Sequence, residues 1–177
     1  MITIQKPTKE DASGIQQVFY KTWLATYPNA KAGVTIEDVE EKFKNRFLPE
    51  TIAKIISSIT DSSENNLFLV AKDQEKIIGV CRAKKEELHS QLMAIYVLPD
   101  YQRRGIGKMF WDKVIDFFGK DKDVVVHVVT YNTQAINFYK KLGFVETGKC
   151  FVEERFRLPI SGALLPEMEL ILKSVGE

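Results

Sequence analysis

The chain has 177 residues, of which 45% are hydrophobic and 28% are charged, and its formal net charge is +1. This length suits one domain, residues 1–177, and the composition is that of an ordinary globular protein. The near-neutral charge gives no electrostatic reason to expect nucleic acid or a membrane surface as the main partner.

Cysteines and apolar runs indicate the compartment. Cys81 and Cys150 lie in apolar, strand-like stretches and match no metal-ligand spacing. The amino terminus lacks the apolar core of a secretory signal, and no apolar run approaches the roughly 20 residues that cross a bilayer. We expect a reduced, cytoplasmic protein without a metal.

The first third of the chain predicts one strand and three helices. Ile2–Lys6 alternates apolar and polar residues until a proline stops the strand. Thr8 is a typical N-cap for the first helix. A second helix is predicted over Ile36–Phe47, and Pro49 opens a third that ends near Ile59.

The rest of the chain predicts strands and helices in the order β-β-β-α-β-α-β-β. The predicted strands are Leu67–Ala71, Lys76–Arg82, Glu87–Val97, Val124–Thr130, Phe144–Val152 and Glu167–Leu172, and the helices are Gly105–Phe118 and Asn132–Leu142. An antiparallel half therefore leads into a parallel β-α-β unit. The expected fold is α/β (α+β), a mixed sheet with helices on both faces.

A glycine turn, Gln102–Gly107, joins a strand end to a helix start. Glycines allow a positive φ and a close approach to a ligand, and free N–H groups at a helix start bind anions. Arg103, Arg104 and Lys108 add positive charge. The segment suits a pyrophosphate, although a tight turn on a solvated basic loop explains the same residues.

Two other nucleotide motifs do not fit this turn. A dinucleotide fingerprint needs a third glycine where Phe110 stands. A Walker loop needs serine or threonine after Gly107–Lys108, and this sequence has Met109.

Two segments resemble the GNAT acetyltransferase superfamily. Gln102-Arg-Arg-Gly-Ile-Gly107 resembles its Q/R-x-x-G-x-G/A signature, and Ile95–Pro99 is similar to its fourth strand. Asn132–Phe144 resembles its N-x-x-A-x-x-x-Y-x-x-x-G-F segment. The resemblance covers about Leu67 to Phe144 and implies a GNAT-like sheet, partly antiparallel and splayed at its central parallel strands.

The same resemblance implies an acetyl-CoA site. The glycine turn would hold the pyrophosphate, the edge of the preceding strand would pair with the pantetheine amides, and an N–H near Val97 would meet the acetyl carbonyl. Asn132 would contact the pantetheine arm. The implied cofactor-binding residues are Ile95, Tyr96, Val97, Gln102, Arg103, Arg104, Gly105, Ile106, Gly107, Lys108, Asn132 and Ala135.

Direct transfer from the thioester needs a neutral amine and a proton for the departing thiolate. Tyr139 coincides with the family tyrosine, and a phenol stays protonated at pH 7. Its alternative role is helix-face packing beside Phe138 and Leu142. Neither cysteine has the context of a nucleophile, so no covalent intermediate is expected.

The base has several candidates. One family branch places a glutamate on the fourth strand, where Gln91 stands here. Another branch places a glutamate five residues before the Asn132 equivalent, where this chain has His127, whose imidazole suits deprotonation of an ammonium. His127 is otherwise a histidine satisfied within a buried strand. His89, two residues before Gln91 and on its strand face if no bulge intervenes, is a weaker candidate.

The acceptor is not identified by the sequence. Phe19, Trp23 and Tyr27 form either an aromatic wall of the acceptor site or part of the core. Four carboxylates offer attraction to a cationic amine or are solvated surface groups, namely Glu86, Glu87, Glu153 and Glu154.

The leading prediction is an N-acetyltransferase that moves acetyl from acetyl-CoA to a primary amine of a small molecule, polyamine or peptide. The alternative is a non-catalytic CoA-binding sensor or interaction module. A nucleic-acid-binding role of Arg103 and Arg104 is disfavoured by the neutral charge. A homodimer is a candidate assembly.

Overall fold

The structure, a computed structural model, describes residues 1–61 and 63–174. Its strands are β1 Ile2–Gln5, β2 Asn66–Asp73, β3 Lys76–Lys85, β4 Ser90–Val97, β5 Val124–Val129, β6 Val145–Phe151 and β7 Glu167–Leu172. Its α-helices are α1 Ala12–Thr26, α2 Ile36–Phe43, α3 Pro49–Thr60, α4 Ile106–Phe118 and α5 Thr133–Lys141.

The strands form one seven-stranded sheet in the order β1-β2-β3-β4-β5-β7-β6. The pair β4–β5 is parallel, and the other pairs are antiparallel. The parallel pairing runs only from Ser90 to Leu92 on β4, and beyond it the two strands separate. Met93 forms a bulge, since Ala83 pairs with Leu92 and the preceding residue of β3 pairs with Ala94. The predicted mixed, splayed sheet is confirmed.

Helices cover both faces of the sheet. Helix α1 packs on β3 and β4, and α4 packs on β2, β3 and β4. Gly79 of β3 permits close packing, because an added Cβ would lie 3.0 Å from the ring of Phe110 on α4. Within the described residues, none of the helices has the length and apolarity that a bilayer crossing requires.

Three predicted boundaries are wrong by three residues or more. Strand β3 continues to Lys85 rather than ending at Arg82. Helix α2 ends at Phe43 rather than Phe47, because turns follow and Leu48, which precedes a proline, is extended at ψ 146. Strand β4 begins at Ser90 rather than Glu87. A turn precedes it, closed by a 2.9 Å hydrogen bond from the N–H of Glu86 to the carbonyl of His89.

Candidate active site

A cavity of about 700 Å³ opens where β4 and β5 separate. Its walls come from α1, the start of α4, α5, β7 and the connection between β6 and β7. Every predicted site residue except Arg104 lines it, namely Ile95, Tyr96, Val97, Gln102, Arg103, Gly105, Ile106, Gly107, Lys108, His127, Asn132, Ala135 and Tyr139. The fold thus brings the two predicted motifs together around one space.

The end of β4 offers free backbone groups to this cavity. The N–H of Leu98 bonds to the carbonyl of Ile78 on β3 at 2.9 Å. Because hydrogen-bonded and non-hydrogen-bonded pairs alternate in an antiparallel ladder, the backbone of Val97 faces the gap towards β5. Its carbonyl accepts a 3.0 Å bond from Nε2 of Gln102, which fixes the turn against the strand and leaves the N–H available.

The glycine turn adopts the conformation that an anion site needs. Arg103 and Gly105 have positive φ values of 59° and 82°, and α4 starts immediately afterwards. The first helical bond there runs from the N–H of Met109 to the carbonyl of Gly105, so the N–H groups before it are unused by the helix. An added Cβ at Gly107 would lie 3.1 Å from the ring of Phe138, which explains that glycine by close packing.

The basic side chains around the turn differ in direction. Arg103 and Lys108 line the cavity. Arg104 instead stacks over the ring of Tyr101, 4.9 Å from its centroid, and lies outside the lining. Lys108 also pairs with Asp112 one turn along α4.

Hydrogen bonds join the start of α5 to the glycine turn. Asn132 is the N-cap of α5, and its side-chain oxygen accepts from the N–H of Ala135 at 3.1 Å. That bond leaves the amide NH₂ of Asn132 as a donor beside the cavity. Nε2 of Gln134 donates to Oε1 of Gln102 at 2.9 Å, which ties the two motifs together.

Tyr139 is a buried residue whose hydroxyl is its one polar side-chain atom. It is only 6% exposed and packs against Phe138 and Phe144. Burial raises the pKa of Tyr139, and so do the nearby Tyr96 and Cys81. Tyr139 lines the cavity, and among the described residues its hydroxyl has no hydrogen-bond partner. Burial likewise raises the pKa of Cys81, as expected for a structural thiol.

His127 lies on β5, across the gap from β4. Its side chain is 28% exposed, and its Nε2 lies 3.6 Å from Oε2 of Glu169 on β7. The ring packs edge-on against Phe151 at 4.8 Å between centroids. Lys149 holds the other carboxylate oxygen of Glu169 at 3.0 Å. His127 is therefore both packed in the sheet and accessible from the cavity.

His89, the other histidine considered as a base, lies outside the cavity lining. It lies in the turn before β4, where its Nε2 is 3.3 Å from Glu86. The expectation that His89 shares a strand face with Gln91 is wrong, because β4 begins only at Ser90 and His89 belongs to the turn before it. Gln91 itself does line the cavity.

The cavity lining also contains residues that the sequence left undecided or missed. Trp23 and Tyr27 line it, whereas Phe19 packs edge-on against Tyr96 at 5.7 Å. Of the four suggested carboxylates, Glu86 and Glu153 line the cavity. Glu167, the first residue of β7, also lines it and was not predicted, since nothing in the local sequence distinguishes it from a solvated strand end.

The split sheet and the helix start at the mouth of the cavity define an acetyltransferase fold. The chain belongs to the acetyltransferase (GNAT) family, which residues 21–144 match. It is similar to the peptidyl-lysine N-acetyltransferase YjaB of Salmonella typhimurium, at 25% identity over 87% of this chain and 90% of that protein.

Two further comparisons agree with this family. The spermidine N(1)-acetyltransferase of Thermoplasma acidophilum is 28% identical over 81% of this chain and 88% of its own. The crystal structure of PaiA N-acetyltransferase from Thermoplasma acidophilum in complex with coenzyme A superposes with a TM-score of 0.72. That match covers 98% of this chain and 99% of the other, at 24% identity, and so supports the fold. None of these relatives supports the non-catalytic alternative.

Proposed function

We propose that residues 1–177 form one N-acetyltransferase domain that transfers acetyl from acetyl-CoA to a primary amine of a small molecule, polyamine or peptide. The observation that carries this proposal is the unpaired edge of β4 beyond Leu92, which leads directly to the start of α4. An extended ligand with amides at one end and phosphates at the other matches that sequence of donors.

The diphosphate would lie at the glycine turn. The unused N–H groups of Ile106, Gly107 and Lys108 and the cavity-facing Arg103 supply its donors. Arg104 was predicted to take part, but its stacking on Tyr101 makes it a secondary candidate.

The pantetheine arm would lie along the β4 edge. Ile95 and Val97 present backbone groups to the gap, and the NH₂ of Asn132 and the side chain of Ala135 flank it. The N–H of Val97 is free to polarise the acetyl carbonyl, and a fixed backbone donor of this kind needs no reorganisation during transfer.

Tyr139 would protonate the departing thiolate. Its hydroxyl is protonated at neutral pH because burial raises its pKa, and no described residue competes for its proton. The amine attacks the thioester directly, the C–S bond breaks, and the proton of Tyr139 goes to sulfur.

His127 would remove the proton of the attacking ammonium, directly or through water. Glu169 can stabilise the resulting imidazolium at 3.6 Å.

The unpaired state of the Cys81 and Cys150 thiols is in keeping with a cytoplasmic location.

A thiol-release assay with acetyl-CoA and a panel of amines tests the proposal. Spermidine, aminoglycosides and short lysine peptides cover the three acceptor classes. We expect amine-dependent release of CoA with one class and a covalently acetylated amine by mass spectrometry. Absence of acetyl-CoA binding by calorimetry would contradict the proposal.

A further inference from the structure

Glu167 is a half-buried carboxylate at the acceptor end of the cavity. It begins β7, between Val129 on β5 and Phe151 on β6, and its side chain lines the cavity. Within residues 1–61 and 63–174, no group forms a hydrogen bond or an ion pair with this carboxylate. Its setting is therefore unlike that of an ordinary strand-end glutamate in water.

Other carboxylates at this end of the cavity have partners. Glu153 pairs with Arg155, and Oε1 of Glu86 lies 3.4 Å from Nζ of Lys84. A half-buried charge without a partner is unfavourable for the free protein. A cation bound in the cavity would remove that penalty, so the arrangement favours a positively charged ligand at Glu167.

The surroundings of Glu167 also suit an alkyl ammonium. Trp23 and Phe156 supply rings in the same cavity lining, and rings of this kind attract cations and cover methylene groups. The Tyr27 hydroxyl lies 3.4 Å from that of Tyr96, and both tyrosines line the same cavity as Glu167.

The hydroxyl that serves the transfer is separate from this carboxylate. Tyr139 is 6% exposed and lines the same cavity, and its hydroxyl has no hydrogen-bond partner among the described residues. Tyr139 lies on α5 and Glu167 begins β7, so the two groups belong to different elements of the cavity lining.

The attacking amine must be neutral, which decides the role of Glu167. A carboxylate that bound only the reacting nitrogen would hold it as an unreactive ammonium. We propose that Glu167 is a specificity-determining residue that binds a second, protonated amino group of the acceptor. This inference rests on the proposed transferase function and restricts its acceptors to amines that carry two or more amino groups.

A matched pair of acceptors tests the proposal. With acetyl-CoA, 1,4-diaminobutane and butylamine differ only in the second ammonium. We expect the wild-type kcat/KM to be at least about ten-fold higher for the diamine, as one charge-assisted contact provides. In Glu167→Gln this ratio should fall to about one, whereas Glu146→Gln, which removes an exposed carboxylate paired with Lys140, should keep the wild-type ratio.

Thermal shift in the presence of CoA gives a readout that needs no turnover. The diamine should raise the Tm of the wild type more than butylamine does, and Glu167→Gln should lose this difference. An equal response to both amines in the wild type, or an unchanged diamine preference in Glu167→Gln, overturns the inference. If the diamine-specific shift occurs but no amine is acetylated, the transferase proposal fails and the Glu167 site stands.

The second ammonium has two chemical sources. Blocked peptides with one lysine and with two neighbouring lysines extend the same comparison. A two-lysine preference that depends on Glu167 places the charge on a peptide, and a preference confined to the diamine places it on a small polyamine. Dependence on Glu167 in either case supports the inference, and its absence in both overturns it.

Discussion

The two ends of the cavity are built in different ways. Most of the proposed cofactor end is continuous in sequence, since β4, the glycine turn and the start of α4 follow one another between Ile95 and Lys108, and the start of α5 completes it. The proposed acceptor end is assembled from distant segments, including Trp23 on α1, His127 on β5 and Glu167 on β7. One end therefore depends on local backbone conformation, and the other depends on how separate elements are fastened together.

Long-range hydrogen bonds hold together the segments around the proposed acceptor end. The fully buried carboxylate of Asp38 on α2 accepts bonds from the N–H groups of Ile160 and Ser161, at 3.0 and 2.8 Å. The hydroxyl of Tyr131 donates to the carbonyl of Tyr27 at 2.8 Å. Changes at the cofactor end should thus alter binding or chemistry, whereas changes to these contacts should alter stability.

The largest effect on activity is expected at Tyr139. Tyr139→Phe keeps the ring that packs against Phe144 but removes the proton donor, so kcat should fall by about 10²- to 10⁴-fold. Steady-state kinetics and calorimetry should show a much smaller change in acetyl-CoA affinity. Tyr96→Phe is the control, since Tyr96 shares the cavity but already contacts Tyr27. A larger loss of kcat in Tyr96→Phe would move the acid role to that residue.

The largest effect on stability is expected at Asp38. Asp38→Asn puts an NH₂ where a carboxylate oxygen now accepts from the N–H of Thr35, and hydrogen bonds to a charged group contribute about 1.5–3 kcal/mol to stability. Chemical denaturation should show this loss with acetyl-CoA affinity largely retained. Glu41→Gln, on the same helix but in an exposed pair with Lys44, should change the unfolding free energy by less than about 0.5 kcal/mol. Equal losses in both variants would contradict the fastening role of Asp38.

Asp38 should also make stability sensitive to acid. Burial alone would raise the pKa of Asp38, but hydrogen bonds from Ser161, Thr35 and Ile160 outweigh it and hold that pKa well below its usual range. The stabilisation is present above the unfolded-state pKa of about 4 and is lost as the pH falls below it. Unfolding free energies between pH 6 and pH 3 should decline less in Asp38→Asn than in the wild type.

A smaller effect separates the two neighbouring arginines at the cofactor end. Arg103→Ala removes a cavity-facing charge and should weaken acetyl-CoA binding about ten-fold at low salt. Arg104→Ala removes a side chain stacked on Tyr101 and should weaken binding by less than about three-fold. Calorimetry at two salt concentrations measures both. The reverse order would place the diphosphate on the other side of the turn.

The smallest effect is a pH dependence at Glu167. Burial raises the pKa of Glu167, the charge of Glu153 raises it further, and Arg155 opposes them. Tyr27 and Tyr96 face it as neutral phenols at these pH values, since burial raises both of their pKa values.

A raised folded-state pKa makes the free protein lose stability as the pH rises from the unfolded value of about 4.3 through the folded one. Glu167→Gln should remove this decline, so its unfolding free energy should exceed that of the wild type at pH 7. A lower value at pH 7 would show that Glu167 has a stabilising partner.

The comparison of the two ends also explains which predictions were accurate. The order of strands and helices from residue 67 onward follows from hydrophobic periodicity, which is a local property. The end of α2 and the start of β4 were misplaced because turns decided them, through Leu48 before a proline and through the bond between Glu86 and His89. The shift of β4 also removed His89 from the site.

The sequence by itself indicated the family and, through that resemblance, the split α/β sheet. It also predicted a cofactor-binding turn, because a glycine turn and the start of a helix are specified by adjacent residues. Only the tertiary structure decided that Arg103 lines the cavity and Arg104 does not, and that Glu167 lines it with no hydrogen-bond or ion-pair partner among residues 1–61 and 63–174. The physical reason is that burial and pairing are properties of neighbours in space. Glu167 meets Val129 and Phe151 across two strand pairings that no local pattern encodes.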